Sequence, residues 1–343
     1  VLSSAMSNRA TTKLLGVEVP LKYVSLSVLV LQTSLMVLIL RASRTADELY
    51  ITSTAVLLAE LIKLITCTLL VFRESGDYRT FSKVVKEQVF GQGWESIKIL
   101  VPACLYIVQN NLLFISLSKL DAATYQVTYQ LKILTTAFFS VFLLRKHLDA
   151  KKWGSLVLLT IGVSLVQLSG LVNSDENETV NFDDRLIGLF SVIGACILSG
   201  LAGVYLELVL KFSKPSVWVR NIQLSLFSII PGLIAVFWTD SEAVLTKGFF
   251  YGYSPLVWVV VFMQACSGLV VAMVVKYADN ILKSFGTSIS IVVSSVITMI
   301  LFSFRPSWQW MAGAGLVILS TVLYSATATS KPSVLPTKAL QQV

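Results

Sequence analysis

The chain has 343 residues, of which 55% are hydrophobic and only 13% charged, with a mean hydropathy of +0.77. A soluble globule carries about 25% charged residues, so this composition excludes a water-soluble fold and marks an integral membrane protein. The net charge of +8, from 27 Lys and Arg against 19 Asp and Glu, then reads as loop charge that orients a membrane protein, not as a nucleic-acid surface.

In chain order, residues 1–20 are polar and carry no expectation of a fold, with Met6 a candidate natural start. A helix needs roughly 20 mostly apolar residues to cross a bilayer. Ten segments qualify, at 21–41, 50–72, 98–118, 122–144, 153–171, 186–210, 217–238, 255–275, 284–304 and 308–326. These runs are continuous and about twice the length of the alternating segments of a membrane barrel, so an all-α protein is predicted. Residues 327–343 form a polar tail containing Pro332 and Pro336. Cys67, Cys104, Cys196 and Cys266 lie in apolar segments, in no disulfide or zinc pattern. The single histidine, His147, sits in a basic loop. Neither a GxxxxGK[ST] phosphate loop, nor GxGxxG, nor HExxH occurs. An enzyme, a metal site and a cofactor are therefore not expected.

Charge sets the orientation. With the N-terminus in the cytosol, 19 of the Lys and Arg residues fall on the cytosolic side and 6 on the other, while Lys63 and Lys132 lie inside spans. The asymmetry puts both termini in the cytosol. The acidic loop 172–184, with its sequon Asn177-Glu178-Thr179, then faces the lumen. That loop divides the chain into five spans before it (21–171) and five after it (185–326). An odd number per half makes the second half inverted, the layout of many secondary transporters.

Polar residues within the spans are the candidates for a site. Lys132 lies near the middle of the fourth span, where a lysine costs roughly 2.5–3.5 kcal/mol on insertion scales. An ion pair with Glu60 would explain it, but Lys63, three residues from Glu60, satisfies that carboxylate locally. Lys132 is therefore read as an anion-binding cation. Tyr125, Gln126 and Tyr129 share its helix face. Gln109-Asn110-Asn111 places three carboxamides mid-span, which must line a cavity or bond across helices. Ser199-Gly200-Leu201-Ala202-Gly203 reads first as a helix-packing stripe. Glu207 and Lys211 are four apart and read as a pair. Asn221 and Gln223 are read equally as site lining or helix capping. Lys276 and Lys283 are either positive-inside charge or a phosphate-attracting mouth. Ser284, Thr287, Ser288 and Ser290 give the ninth span a polar opening.

Four motifs carry a resemblance: Leu120–Ile133 (LDAATYQVTYQLKI), Val217–Gln223 (VWVRNIQ), Lys247–Tyr253 (KGFFYGY) and Lys276–Lys283 (KYADNILK). They resemble the Golgi nucleotide-sugar transporters, in the branch that holds the CMP-sialic acid, UDP-galactose and UDP-N-acetylglucosamine transporters. The resemblance spans about residues 20–326. It implies the drug/metabolite transporter fold, ten helices in two inverted five-helix repeats, and antiport of a nucleotide sugar against a nucleoside monophosphate. It implies that Lys132 and Lys283, supported by Lys276, meet the phosphates. Tyr106, Asn110, Asn111, Tyr125, Gln126, Tyr129, Asn221 and Gln223 match positions at or near the cavity, and Ser199, Gly200, Thr287 and Ser288 the opposite wall. Lys132–Ala137 and Phe285–Ile291 look like the UDP-sugar members. UDP-galactose with UMP is the first expectation, UDP-N-acetylglucosamine or dual specificity the second, and CMP-sialic acid a lesser one. Leu208, where a lysine often follows the glutamate, and Ser284-Phe285, in place of a common Gly-Phe, depart from the pattern. The implied partners are UDP-sugar, UMP and membrane lipid, with a homodimer as an open alternative. Two rivals are weighed. A multispanning enzyme would need larger loop domains, and a sugar-phosphate carrier would share the helices and buried lysines.

Overall fold

The structure is a computed structural model and describes residues 11–14, 17–43, 49–91, 93–120, 122–169, 182–212, 215–302 and 307–327. The sequon at Asn177 and most of loop 172–184 lie outside the described residues, as does the tail from residue 328. Where no fold was expected before residue 21, a short antiparallel hairpin pairs β1 (Thr11–Leu14) with β2 (Val17–Pro20).

Ten helices among the described residues are long and apolar enough to cross a membrane. They are α1 (Leu21–Ser43), α2 (Thr52–Ser75), α4 (Gly93–Lys119), α5 (Ala122–Tyr129) with α6 (Leu131–Leu144) as one broken span, α7 (Ala150–Ser169), α8 (Phe182–Phe212), α9 (Val217–Ile234), α11 (Pro255–Tyr277), α12 (Asn280–Phe302) and α13 (Trp308–Thr327). Two short helices lie between spans, α3 (Tyr78–Val84) and α10 (Ser241–Lys247). Each predicted span has its helix. One difference is α8, which extends beyond the predicted 186–210 at both ends. Asp183 and Asp184 interrupt the apolar count but suit the first turn of a helix, and Lys211 suits its last.

The packing carries the repeat. Span five packs on span ten, and span two on span seven. Span three packs on six as span eight packs on one, and four on six as nine on one. Exchanging each span with the one five places along maps this pattern onto itself, as an inverted repeat requires. A hydroxyl-to-carbonyl hydrogen bond ties each pair of one related set, four with six and nine with one, with the donor on the opposite member of the pair. Thr135 Oγ1 donates to the Cys196 carbonyl at 2.7 Å, and Ser34 Oγ donates to the Ser290 carbonyl at 3.2 Å.

Lipid is as apolar as leucine, so close packing rather than water exclusion joins such helices. Small residues sit at the contacts accordingly. A Cβ on Gly162 would stand 2.9 Å from the Gly313 carbonyl oxygen, and one on Gly313 2.7 Å from that of Gly162. The fifth and tenth spans thus touch backbone to backbone. Ile133, Leu156, Leu159, Ile281, Phe285 and Val317 form a core joining spans four, five, nine and ten. Large apolar side chains such as Leu31, Phe138 and Phe190 point outward, as a lipid-facing surface requires.

Candidate functional site

The fourth span is broken at Gln130, between α5 and α6. Around the break the backbone tightens: Gln130 N–H donates to the Val127 carbonyl at 3.1 Å, and Ile133 N–H to the Gln130 carbonyl at 3.0 Å. Irregular backbone at membrane depth is tolerated where protein or a cavity meets its polar groups. Here the Cys196 thiol approaches the carbonyls of Thr128 and Tyr129 at 3.6 and 3.5 Å. Beside the break lies a cavity of about 280 Å³ between the two halves. The first half contributes Tyr125, Gln126, Tyr129, Gln130, Lys132, Ile133 and Gln167; α12 contributes Ser284, Thr287, Ser288 and Ile291.

Lys132 Nζ sits 3.8 Å from the centroid of the Tyr129 ring. A desolvated cation–π contact is worth about 2 kcal/mol, which offsets much of the cost of a lysine at this depth but, among the described residues, leaves its donors without an acceptor. Among the described residues, no carboxylate lies within ion-pair distance of it. Glu60 is held instead by Lys63 at 2.7 Å, one turn away on the same helix. Lys283 lies near enough for the two ammonium groups to repel, and it is itself drawn toward Glu207. Tyr125 and Tyr129 stack with centroids 5.7 Å apart and planes 11° from parallel, a flat apolar platform beside the cation. On the opposite wall, Ser284, Thr287 and Ser288 donate their hydroxyl protons to carbonyls of their own helix at 3.1, 2.9 and 2.9 Å. They turn lone pairs toward the cavity.

The cavity thus brings together six of the residues singled out in the sequence: Tyr125, Gln126, Tyr129, Lys132, Thr287 and Ser288. Others lie elsewhere. Asn110 and Asn111 are exposed on α4 and outside the lining, whereas Gln109 is buried and stands close to Tyr129. Tyr106 stands close enough to Tyr129 to interact with it. Asn221 and Gln223 are buried away from the cavity. Asn221 donates to the Val217 carbonyl of its own helix, while Gln223 donates to the Gln88 carbonyl and accepts from Arg220 at 2.9 Å. Gln223 thereby braces a π-helical turn at Val85–Phe90, while Asn221 bonds within its own helix. Gly200 serves packing, since a Cβ there would lie 2.7 Å from Thr135 Oγ1. Ser199 is half-buried beside it, and half-buried Lys276 lies outside the lining. The sequence reading passed over Gln167 as a lining residue, and it named Gln130 and Ser284 only among the polar openings of their helices. Gln167 carries the one local signal, a carboxamide within an apolar run.

A second polar cluster closes the bundle at the end that carries residues 145–149 and 278–280. Glu207 is fully buried and accepts from Lys146 and Lys211, each at 2.8 Å, and from the Asn280 backbone N–H at 2.9 Å. Lys146 also reaches Asp279 at 3.4 Å, and Lys211 donates to the Ala278 carbonyl at 2.6 Å. Burial alone would raise the Asp279 carboxyl, but Lys146, Lys211, the Leu282 N–H and Lys22 together outweigh it and hold it at about 2. Burial likewise pulls Lys146 down, and Asp279 and Glu207 overcome it, so its ammonium is held above the ordinary range. The network joins a link of the first half to one of the second. At the opposite end, Lys119 pairs with Asp184.

The comparisons with known proteins follow this geometry. Residues 17–325 match the nucleotide-sugar transporter family. The human UDP-N-acetylglucosamine transporter is 49% identical over 93% of this chain and 99% of its own length. The UDP-galactose transporter of Schizosaccharomyces pombe is 45% identical over 92% of this chain and 90% of its own. One solved crystal structure, 12% identical, superposes with a TM-score of 0.55 over 90% of this chain and 98% of its own, a likeness of fold alone. These relatives are named as transporters, in accord with a chain that has ten membrane spans and a polar cavity between inverted halves. The protein is a multi-pass membrane transporter that belongs to the nucleotide-sugar transporter family.

Proposed function

We propose that the protein is a Golgi antiporter, with both termini cytosolic, that carries a UDP-sugar into the lumen in exchange for UMP. The observation that carries this reading is Lys132, a lysine at mid-membrane depth against an aromatic ring, facing a cavity, with no carboxylate at ion-pair distance among the described residues. A phosphate is the ligand such a cation suits. The stacked tyrosines suit a base or sugar face. The motif likeness favours galactose, and the names of the relatives add N-acetylglucosamine on equal terms.

The geometry supports exchange rather than free return of the empty carrier. Without ligand, Lys132 in the cavity wall and Lys283 just outside the lining repel, and closing the halves around them brings like charges together out of water. A bound phosphate removes that barrier. The network around Glu207 supports alternating access, since it seals one end while the cavity lies deeper in the bundle.

The test is uptake of labelled UDP-galactose and UDP-N-acetylglucosamine into liposomes that hold the purified protein, with and without internal UMP. Faster uptake with internal UMP is expected. Uptake of neither sugar would refute the UDP-sugar reading, and uptake indifferent to UMP would refute exchange.

A further inference from the structure

We propose that Gln130 and Gln167 act as a paired reader for a planar amide edge on the cargo, a carbonyl beside an N–H. The inference rests on the reading that a UDP-sugar occupies the cavity. Gln130 Nε2 donates to Gln167 Oε1 at 2.7 Å, and both residues line the cavity. That bond uses one half of each carboxamide. It leaves the Gln130 side-chain oxygen as an acceptor and the Gln167 amide nitrogen as a donor, neither with a partner among the described residues. Reversing both amides exchanges the roles but keeps one donor and one acceptor on offer.

What distinguishes this pair from the rest of the lining is its fixed geometry. Gln130 is buried at the helix break, and each glutamine holds the rotamer of the other. Lys132 offers charge, and the serine wall offers lone pairs, so neither selects a neutral donor–acceptor edge. One part of a UDP-sugar presents that edge, the ring imide of uracil. The acetamido group of an N-acetylhexosamine is a trans amide whose C=O and N–H point to opposite sides, and a hexose hydroxyl rotates freely, so both gain less from it. The pair is therefore a specificity element that reads the base.

A ligand-by-residue cycle tests it. Dissociation constants of purified protein and of Gln167→Met are measured for UMP against N3-methyl-UMP and for UDP-N-acetylglucosamine against UDP-glucose. A bidentate pair discriminates by about tenfold or more. In the UMP comparison the native protein is expected to show such a preference, and Gln167→Met to lose it. A preference lost only in the sugar comparison would overturn the assignment to the base. Gln167→Glu keeps the acceptor for Gln130 and deletes the donor. Its added charge affects all four ligands alike and cancels in the ratios, so it carries the test if Gln167→Met does not fold. Equal weakening of all four ligands would overturn the proposal and leave the pair a brace for the helix break, as would unchanged affinities. Native protein that binds none of the four would overturn the UDP-sugar reading itself.

Discussion

Replacing Lys132 with Met removes one buried charge while keeping length and apolar volume. For the empty protein the structure predicts little harm. The insertion cost of the lysine, about 2.5–3.5 kcal/mol, disappears together with a cation–π contact of about 2 kcal/mol on the Tyr129 ring. The variant should melt at the native temperature or slightly above it. For the ligand the change is large. Truncating one partner of a buried charge pair costs about 2–5 kcal/mol, so the UMP dissociation constant should rise by at least about 30-fold. Lys63→Met is the contrast, because it strands Glu60, now 2.7 Å from its only assigned cation, and loss of one partner of a buried pair costs about 3–5 kcal/mol. Thermal unfolding in detergent with and without UMP reads both quantities for Lys132→Met, Glu60→Gln and the double variant. The reasoning is refuted if well-folded Lys132→Met binds UMP normally, or if it loses stability that Glu60→Gln restores.

Three further outcomes are expected. A cysteine placed at Ser174 should be shielded from an impermeant thiol reagent in sealed Golgi vesicles while one at Ser82 is labelled; equal labelling would contradict the orientation drawn from charge. Gly200→Ala should lower stability by about 1–3 kcal/mol, the usual cost of overpacking, because its Cβ would press on Thr135 at 2.7 Å; an unchanged melting temperature would show that the helices part easily there. Asp279, held at about 2, has a folded value below its unfolded one, so its stabilisation is complete above the ordinary carboxylate range near about 4 and fades only as pH falls toward 2. The stability difference between native protein and Asp279→Asn should therefore be flat from pH 5 to 8, about three units above the folded value, and a difference that varies across that window would place the carboxylate outside the network.

The sequence by itself determined what depends on local geometry. Span length follows from the rise of a helix and the thickness of a bilayer, so ten apolar runs gave ten helices. The Glu60–Lys63 pair follows from a spacing of three, whatever the helix packs against. The mid-span position of Lys132 and the shared face of Tyr125 and Tyr129 are equally local. Rotation of each helix about its own axis was not legible. In water, an apolar stripe marks the buried face, but a helix in lipid is apolar on both sides. Periodicity therefore could not say which of Gln109, Asn110 and Asn111 turns inward, and only packing chose Gln109. The same holds for contacts between distant segments. Gln130 meets Gln167, Gln223 meets the backbone of Gln88, and Glu207 gathers Lys146 and the link before Asn280. None of these follows from spacing along the chain, because each depends on how helices distant in sequence pack against one another.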